Sequence, residues 1–142
     1  MPENEPAWTR SRPAAYDIVT CWFLEAGKPA QDPKLRPCLV TAVLRDEESG
    51  RFACRLVYGT TSLKIVHRQH LDLIIQNTVD LDQVGLARAT RFDLDNTAVL
   101  PWASEFFGRW TGYATPRIGA LTETYIRDYA FLMMKRRSVK PR

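Results

Sequence analysis

The chain lacks most of the features by which a function declares itself. It has two histidines and an odd three cysteines in 142 residues. It carries no Walker-type loop, no dinucleotide fingerprint and no nucleophile elbow. No uninterrupted apolar run approaches the roughly 18 residues that a membrane-spanning helix needs. The opening Met1-Pro2-Glu3-Asn4-Glu5-Pro6 has neither a basic start nor an apolar core, so no secretory signal is read there and a cytoplasmic protein is expected. Cys21, Cys38 and Cys54 each fall within an apolar, strand-like pattern. Buried reduced thiols are therefore expected, not a disulfide framework or a zinc site. His67 and His70 lie three apart with Asp72 near, but nothing nearby offers a third and fourth metal ligand; no metal and no other cofactor is expected.

What is present is an ordinary globular composition. With 45% apolar and 25% charged residues, wholesale disorder is excluded, and the length suits one domain with a real core. Of the net charge of +4, residues 135–142 supply +5, which leaves −1 for residues 1–134. The basicity thus belongs to a tail, expected to be solvated, that can strengthen RNA binding through counterion release. Residues 1–15, with three prolines, read as a flexible leader; residues 16–137 read as the single domain; residues 138–142 read as the end of the basic tail.

The domain is organised around Arg36-Pro37-Cys38-Leu39-Val40-Thr41-Ala42-Val43-Leu44. This nearly continuous apolar run with β-branched members predicts a central strand buried on both faces, opened by a proline where a missing N–H costs least. Residues 16–25 predict a first strand, and residues 26–35, with Gly27, Pro29 and Pro33, a long loop over its end. Phe52, Cys54, Leu56 and Tyr58 alternate with polar residues and predict a half-buried strand, joined to the central one by the polar turn 45–50. Short strands are expected at 63–66 and 71–75, a loop with a helical turn at 77–89, and strand pieces at 90–92 and 97–100. Thr122 can cap a C-terminal helix that places Tyr125, Ile126, Tyr129, Ala130, Leu132 and Met133 at helical spacing and ends in Lys135, Arg136 and Arg137. The sum is a mainly β fold: a small, strongly bent antiparallel sheet or barrel closed by a C-terminal α-helix.

Two motifs invite chemistry and one is set aside. Phe92-Asp93-Leu94-Asp95-Asn96-Thr97 resembles the aspartyl-nucleophile signature of the haloacid-dehalogenase phosphatases. That chemistry needs a buried apolar strand immediately before the first aspartate, a later acidic pair and a long domain to follow. Here Ala87-Arg88-Ala89-Thr90-Arg91 precedes it and only 45 residues come after Thr97, so a strand–turn–strand with Asp95-Asn96 at the turn is the better reading. The second motif is spatial. In an antiparallel pair the start of one strand lies beside the end of the next, so Arg36 is expected to meet the hydroxyl-rich turn Thr60-Thr61-Ser62 at one rim, under the 26–35 loop. A guanidinium beside hydroxyls suits a phosphate or a phosphorane.

Asp17-Ile18-Val19, then Arg36-Pro37-Cys38-Leu39-Val40, then Thr61-Ser62, with Phe92-Asp93-Leu94-Asp95 before a closing helix, resemble in order and spacing the PemK/MazF family of toxin endoribonucleases over residues 16–137. The resemblance implies a small SH3-like antiparallel barrel with a C-terminal α-helix that forms homodimers, a metal-independent hydrolase that cuts single-stranded RNA by attack of the 2′-hydroxyl and leaves a 2′,3′-cyclic phosphate. It implies Arg36 and Thr61 as catalytic residues, with Ser62, Thr60, Lys34 and Lys64 binding substrate. It also implies a cognate antitoxin that holds the protein inactive and with which it binds DNA. The alternative is a non-catalytic SH3-like module of the same descent that binds RNA or a protein.

Overall fold

An apolar run that is continuous along an extended chain must be covered on both sides, and here a single sheet is covered by two separate layers. The computed structural model describes residues 5–22, 34–64 and 71–138. The strands are β1 (Asp17–Cys21), β2 (Arg36–Arg45), β3 (Phe52–Thr60), β4 (Leu73–Ile75), β5 (Thr90–Pro101) and β6 (Arg117–Ala120). The helices are α1 (Thr78–Val84) and α2 (Glu123–Ser138), and residues 7–10 form a 3₁₀ turn. The strands run in the order β4-β5-β3-β2-β1-β6, every pairing antiparallel, in a sheet curled into a half-barrel. The mainly β fold with a closing C-terminal helix is therefore the one the sequence predicts.

Alternation divides the core in two. On one face Ile18, Leu39, Val57 and Phe92 pack with Leu81 and Val84 of α1 and with Tyr125, Ile126, Tyr129, Leu132 and Met133 of α2. On the other, Val19, Cys38, Val40, Cys54, Leu56 and Tyr58 pack with Trp8, Trp102 and Phe107. The middle of β2 is buried on both faces as expected, but only over Cys38, Leu39 and Val40; by Leu44 the strand is exposed. The α1 segment, expected as a loop with one helical turn, is a seven-residue helix. Asn77 caps its N-terminus by accepting from the Val79 and Asp80 amides, and Gly85 ends it in the left-handed conformation (φ 85°).

Several expectations are corrected. Within the expected leader, Trp8 is buried; its ring meets Trp102 edge-on at 4.9 Å, and its carbonyl accepts from the Trp102 indole N–H. An apolar ring of that size outweighs the prolines around it. The expected turn at Asp95-Asn96 is instead part of one continuous strand, β5, whose pairing with β3 jumps from Val57↔Thr97 to Tyr58↔Asp93. Leu94, Asp95 and Asn96 are thus spare residues of an enlarged bulge, held there because Asp95 is gripped by Arg136. Arg136, expected as a solvated helix end, is buried. The expected strand at 63–66 is not formed at residues 63–64, and its remainder lies outside the described residues, as do His67, His70, residues 23–33 of the long loop and residues 139–142.

Candidate functional site

Cross-strand register builds a row at one end of the sheet. Arg36 opens β2 and lies opposite Cys21 of β1. The β2–β3 register, Cys38↔Tyr58, carried on by two residues, sets Arg36 opposite Thr60, and Thr60 lies opposite Arg91 of β5. Directly opposed residues share a face, so Thr60 stands between two arginines. Gly59 makes the row possible: a Cβ there would lie 2.3 Å from the Pro37 carbonyl oxygen and 3.0 Å from the Phe92 ring. Only glycine lets β3 pass Pro37 this closely.

The two arginines are differently engaged. Arg91 donates to Asp72 at 2.9 Å through Nη1 and to the Ser62 carbonyl at 3.1 Å through Nε. It therefore ties the hydroxyl turn to β5. Asp72, with a side chain 6% exposed, also accepts from the Leu94 amide at 3.2 Å and lies 3.7 Å from Arg136. Its charge is fully answered. The Arg36 guanidinium, half-buried, has no hydrogen-bond or ion-pair partner among the described residues, and is available to an external anion.

Thr60 Oγ1 accepts from the Ser62 amide at 3.1 Å, which closes the turn and leaves the hydroxyl proton to point elsewhere. Thr61 and Ser62 are exposed. Lys34 leads into β2 and Lys64 follows the turn, both exposed, so both leave the sheet at this end. Of the six residues singled out from the sequence, the register gives Thr60 the position directly opposite Arg36; Thr61 and Ser62 follow it in the turn, and Lys34 and Lys64 lie two and four residues along the chain from Arg36 and Thr60. Asp17 starts β1, at the other end of that strand from Cys21 and the row: buried, it accepts from the Ala14 amide at 2.9 Å and from Arg117 Nε at 3.0 Å.

Beneath the row the thiols of Cys21 and Cys38 are 3.2 Å apart and hydrogen-bonded, and none of the three cysteines is in a disulfide. The Cys54 thiol is pushed up to about 12, by burial first and then by the nearby Asp17 and Cys21, and is inert as a nucleophile at neutral pH. Among the described residues no group of three or more His, Cys, Asp or Glu side chains converges as a metal site would require. What the rim can do chemically is hold and neutralise a phosphate-like anion. Sequence reasoning missed the Asp72–Arg91–Arg136–Asp95 cluster behind the turn, because its members are brought together across up to 64 positions of chain. The chain matches no protein-family model and no curated protein.

Proposed function

We propose that the chain is an endoribonuclease of the PemK/MazF kind, acting on single-stranded RNA without a metal, as a homodimer restrained by an antitoxin. The observation that supports this reading is the row itself: an uncommitted guanidinium opposite a hydroxyl, flanked by Lys34 and Lys64, with the neighbouring carboxylate Asp72 already paired to Arg91. In the reaction the ribose O2′ bonds to the adjacent phosphorus, the bond from phosphorus to O5′ breaks, and the proton lost from O2′ ends on O5′. Arg36 neutralises the dianionic phosphorane, and Thr60 or Thr61 donates a hydrogen bond to a non-bridging oxygen.

One observation favours the second reading, a non-catalytic module that binds RNA or a protein. Arginine stays charged at neutral pH and is a poor proton carrier, and the side chains that the register sets in one row, Arg36, Thr60 and Arg91, include no base that titrates near neutrality. A single experiment separates the two. A long unstructured RNA is incubated in EDTA with wild type, Arg36→Ala, Thr60→Val and Thr61→Ala. The nuclease reading expects cutting that survives EDTA, leaves 5′-hydroxyl ends, and falls about 100-fold or more in Arg36→Ala. A folded wild type that binds but does not cut, or equal cutting by all variants, removes the catalytic assignment.

A further inference from the structure

On the other face of the sheet, two register breaks sit on either side of the same stretch of β3. Between β2 and β3 the register shifts at Val40/Ala42, which leaves Thr41 as the extra residue. Between β3 and β5 it shifts at Val57/Tyr58, which leaves Leu94 among the spare residues. Bulges bend a strand and re-aim the residue they release. Here both bend the sheet where α2 crosses it, and Thr41 and Leu94 line the resulting groove of about 560 Å³. That is within the range of about 300–1,000 Å³ that small-molecule sites occupy.

One wall is strained. Tyr16 is the one non-glycine residue with a left-handed backbone among the described residues, at φ 72°. It is held there by its amide donating to the Val40 carbonyl at 2.6 Å and its carbonyl accepting from the Leu121 amide at 2.9 Å. Its ring meets Tyr129 of α2 edge-on at 5.9 Å, and both rings face the groove. A bulky residue in that region is strained, and such residues concentrate at ligand sites.

The charge in the groove has one sign. Arg55 and Arg137, both exposed, line it, and among the described residues no acidic side chain does. Tyr129 adds no negative charge. Burial and the neighbouring Tyr16 push its hydroxyl up, more than the Thr41 hydrogen bond and Arg55 pull it down, so at neutral pH it remains a donor. Met133 and Met134 supply polarisable thioethers of the kind that contact aromatic rings.

We infer that this groove between α2 and the bulged sheet binds a phosphorylated aromatic ligand of mononucleotide size, its ring against the tyrosines and methionines and its phosphate between Arg55 and Arg137. Two guanidiniums match a phosphate dianion better than a single carboxylate. The site is on the opposite face from Arg36 and does not depend on the chemistry assigned to the rim.

Adenosine 5′-monophosphate, adenosine and inorganic phosphate are the probes, titrated by calorimetry into wild type, the double variant Arg55→Gln/Arg137→Gln, and Arg36→Ala. Saturable binding of the monophosphate is expected, weaker by about tenfold or more in the double variant and unchanged in Arg36→Ala. Adenosine and phosphate alone are each expected to bind more weakly than the monophosphate. Thermal unfolding checks that the double variant, altered only at exposed positions, is folded. No saturable binding by folded wild type, equal binding by the double variant, loss of binding in Arg36→Ala, or phosphate alone binding as tightly as the monophosphate would each overturn the inference. Loss of binding in Arg36→Ala would move the phosphate to the rim; the other outcomes leave RNA cleavage there untouched.

Discussion

Arg136, two residues from the end of α2, has a side chain only 7% exposed. It donates to the Leu71 carbonyl at 3.0 Å, grips Asp95 across the β5 bulge, and lies 3.7 Å from Asp72. Removing one member of a buried charge cluster leaves the others unanswered, at a typical cost of 3–5 kcal/mol. Asp72 keeps Arg91, which brings the expected loss for Arg136→Ala to the lower end, about 3 kcal/mol by urea unfolding. Arg137→Ala, one residue on and exposed, is expected to change stability by less than about 0.5 kcal/mol. Helical spacing already sets Arg136 on the stripe of Tyr125, Tyr129 and Leu132 and leaves Arg137 at its margin. Which partners Arg136 meets there depends on where β4 and β5 lie, and the pattern of α2 carries no trace of that.

The two helices are joined by one polar contact, Tyr125 Oη donating to Asp80 at 2.6 Å. The Tyr125 hydroxyl is pushed up to about 12, by burial first and then by the bond to Asp80 and the charges of Asp80 and Asp128. The folded protein therefore holds this proton more tightly than the unfolded chain, whose tyrosines titrate near 10. The contact's contribution is fully present below that value and is lost as pH rises through about 12. A spectrophotometric titration should show late tyrosinate formation from Tyr125 and from Tyr129, whose hydroxyl is also pushed up, and the late absorbance should shrink by one tyrosinate in Tyr125→Phe. Cys54 titrates in the same window, so the tyrosine absorbance, and not unfolding alone, is the readout. Tyr125→Phe should also cost about 1 kcal/mol at neutral pH, the worth of one hydrogen bond.

For the molecule as a whole, two cores share one sheet, and each needs its own cover. The second is closed by Trp8 on Trp102, and Trp102 in turn on Phe107 at 4.6 Å. Trp8→Ala should cost about 3 kcal/mol or more and lower the urea midpoint with the slope unchanged, because the sheet stays cooperative. An unaffected midpoint would mean that residues 5–15 only lean on the sheet. The rim with Arg36 and the groove under α2 are carried on opposite faces of the same strands, so the curl that opens the groove also sets the strand ends that form the rim.

The sequence by itself determined the two central strands and the closing helix, and it left β6 and the continuity of β5 unread. Side chains alternate every residue along a strand and recur every 3.6 along a helix, so the apolar patterns at 36–44, 52–58 and 125–133 follow from local covalent geometry. It also placed Arg36 beside the hydroxyl turn, since a hairpin's register is set by its turn and its faces. Only the tertiary structure decided that Trp8 belongs to a core 94 positions from its partner, that Arg136 crosses 41 positions to reach Asp95, and that two bulges meet under α2. Those are choices among distant partners, made by whichever pairing buries the most apolar surface while leaving no buried charge unanswered, and no local period encodes them.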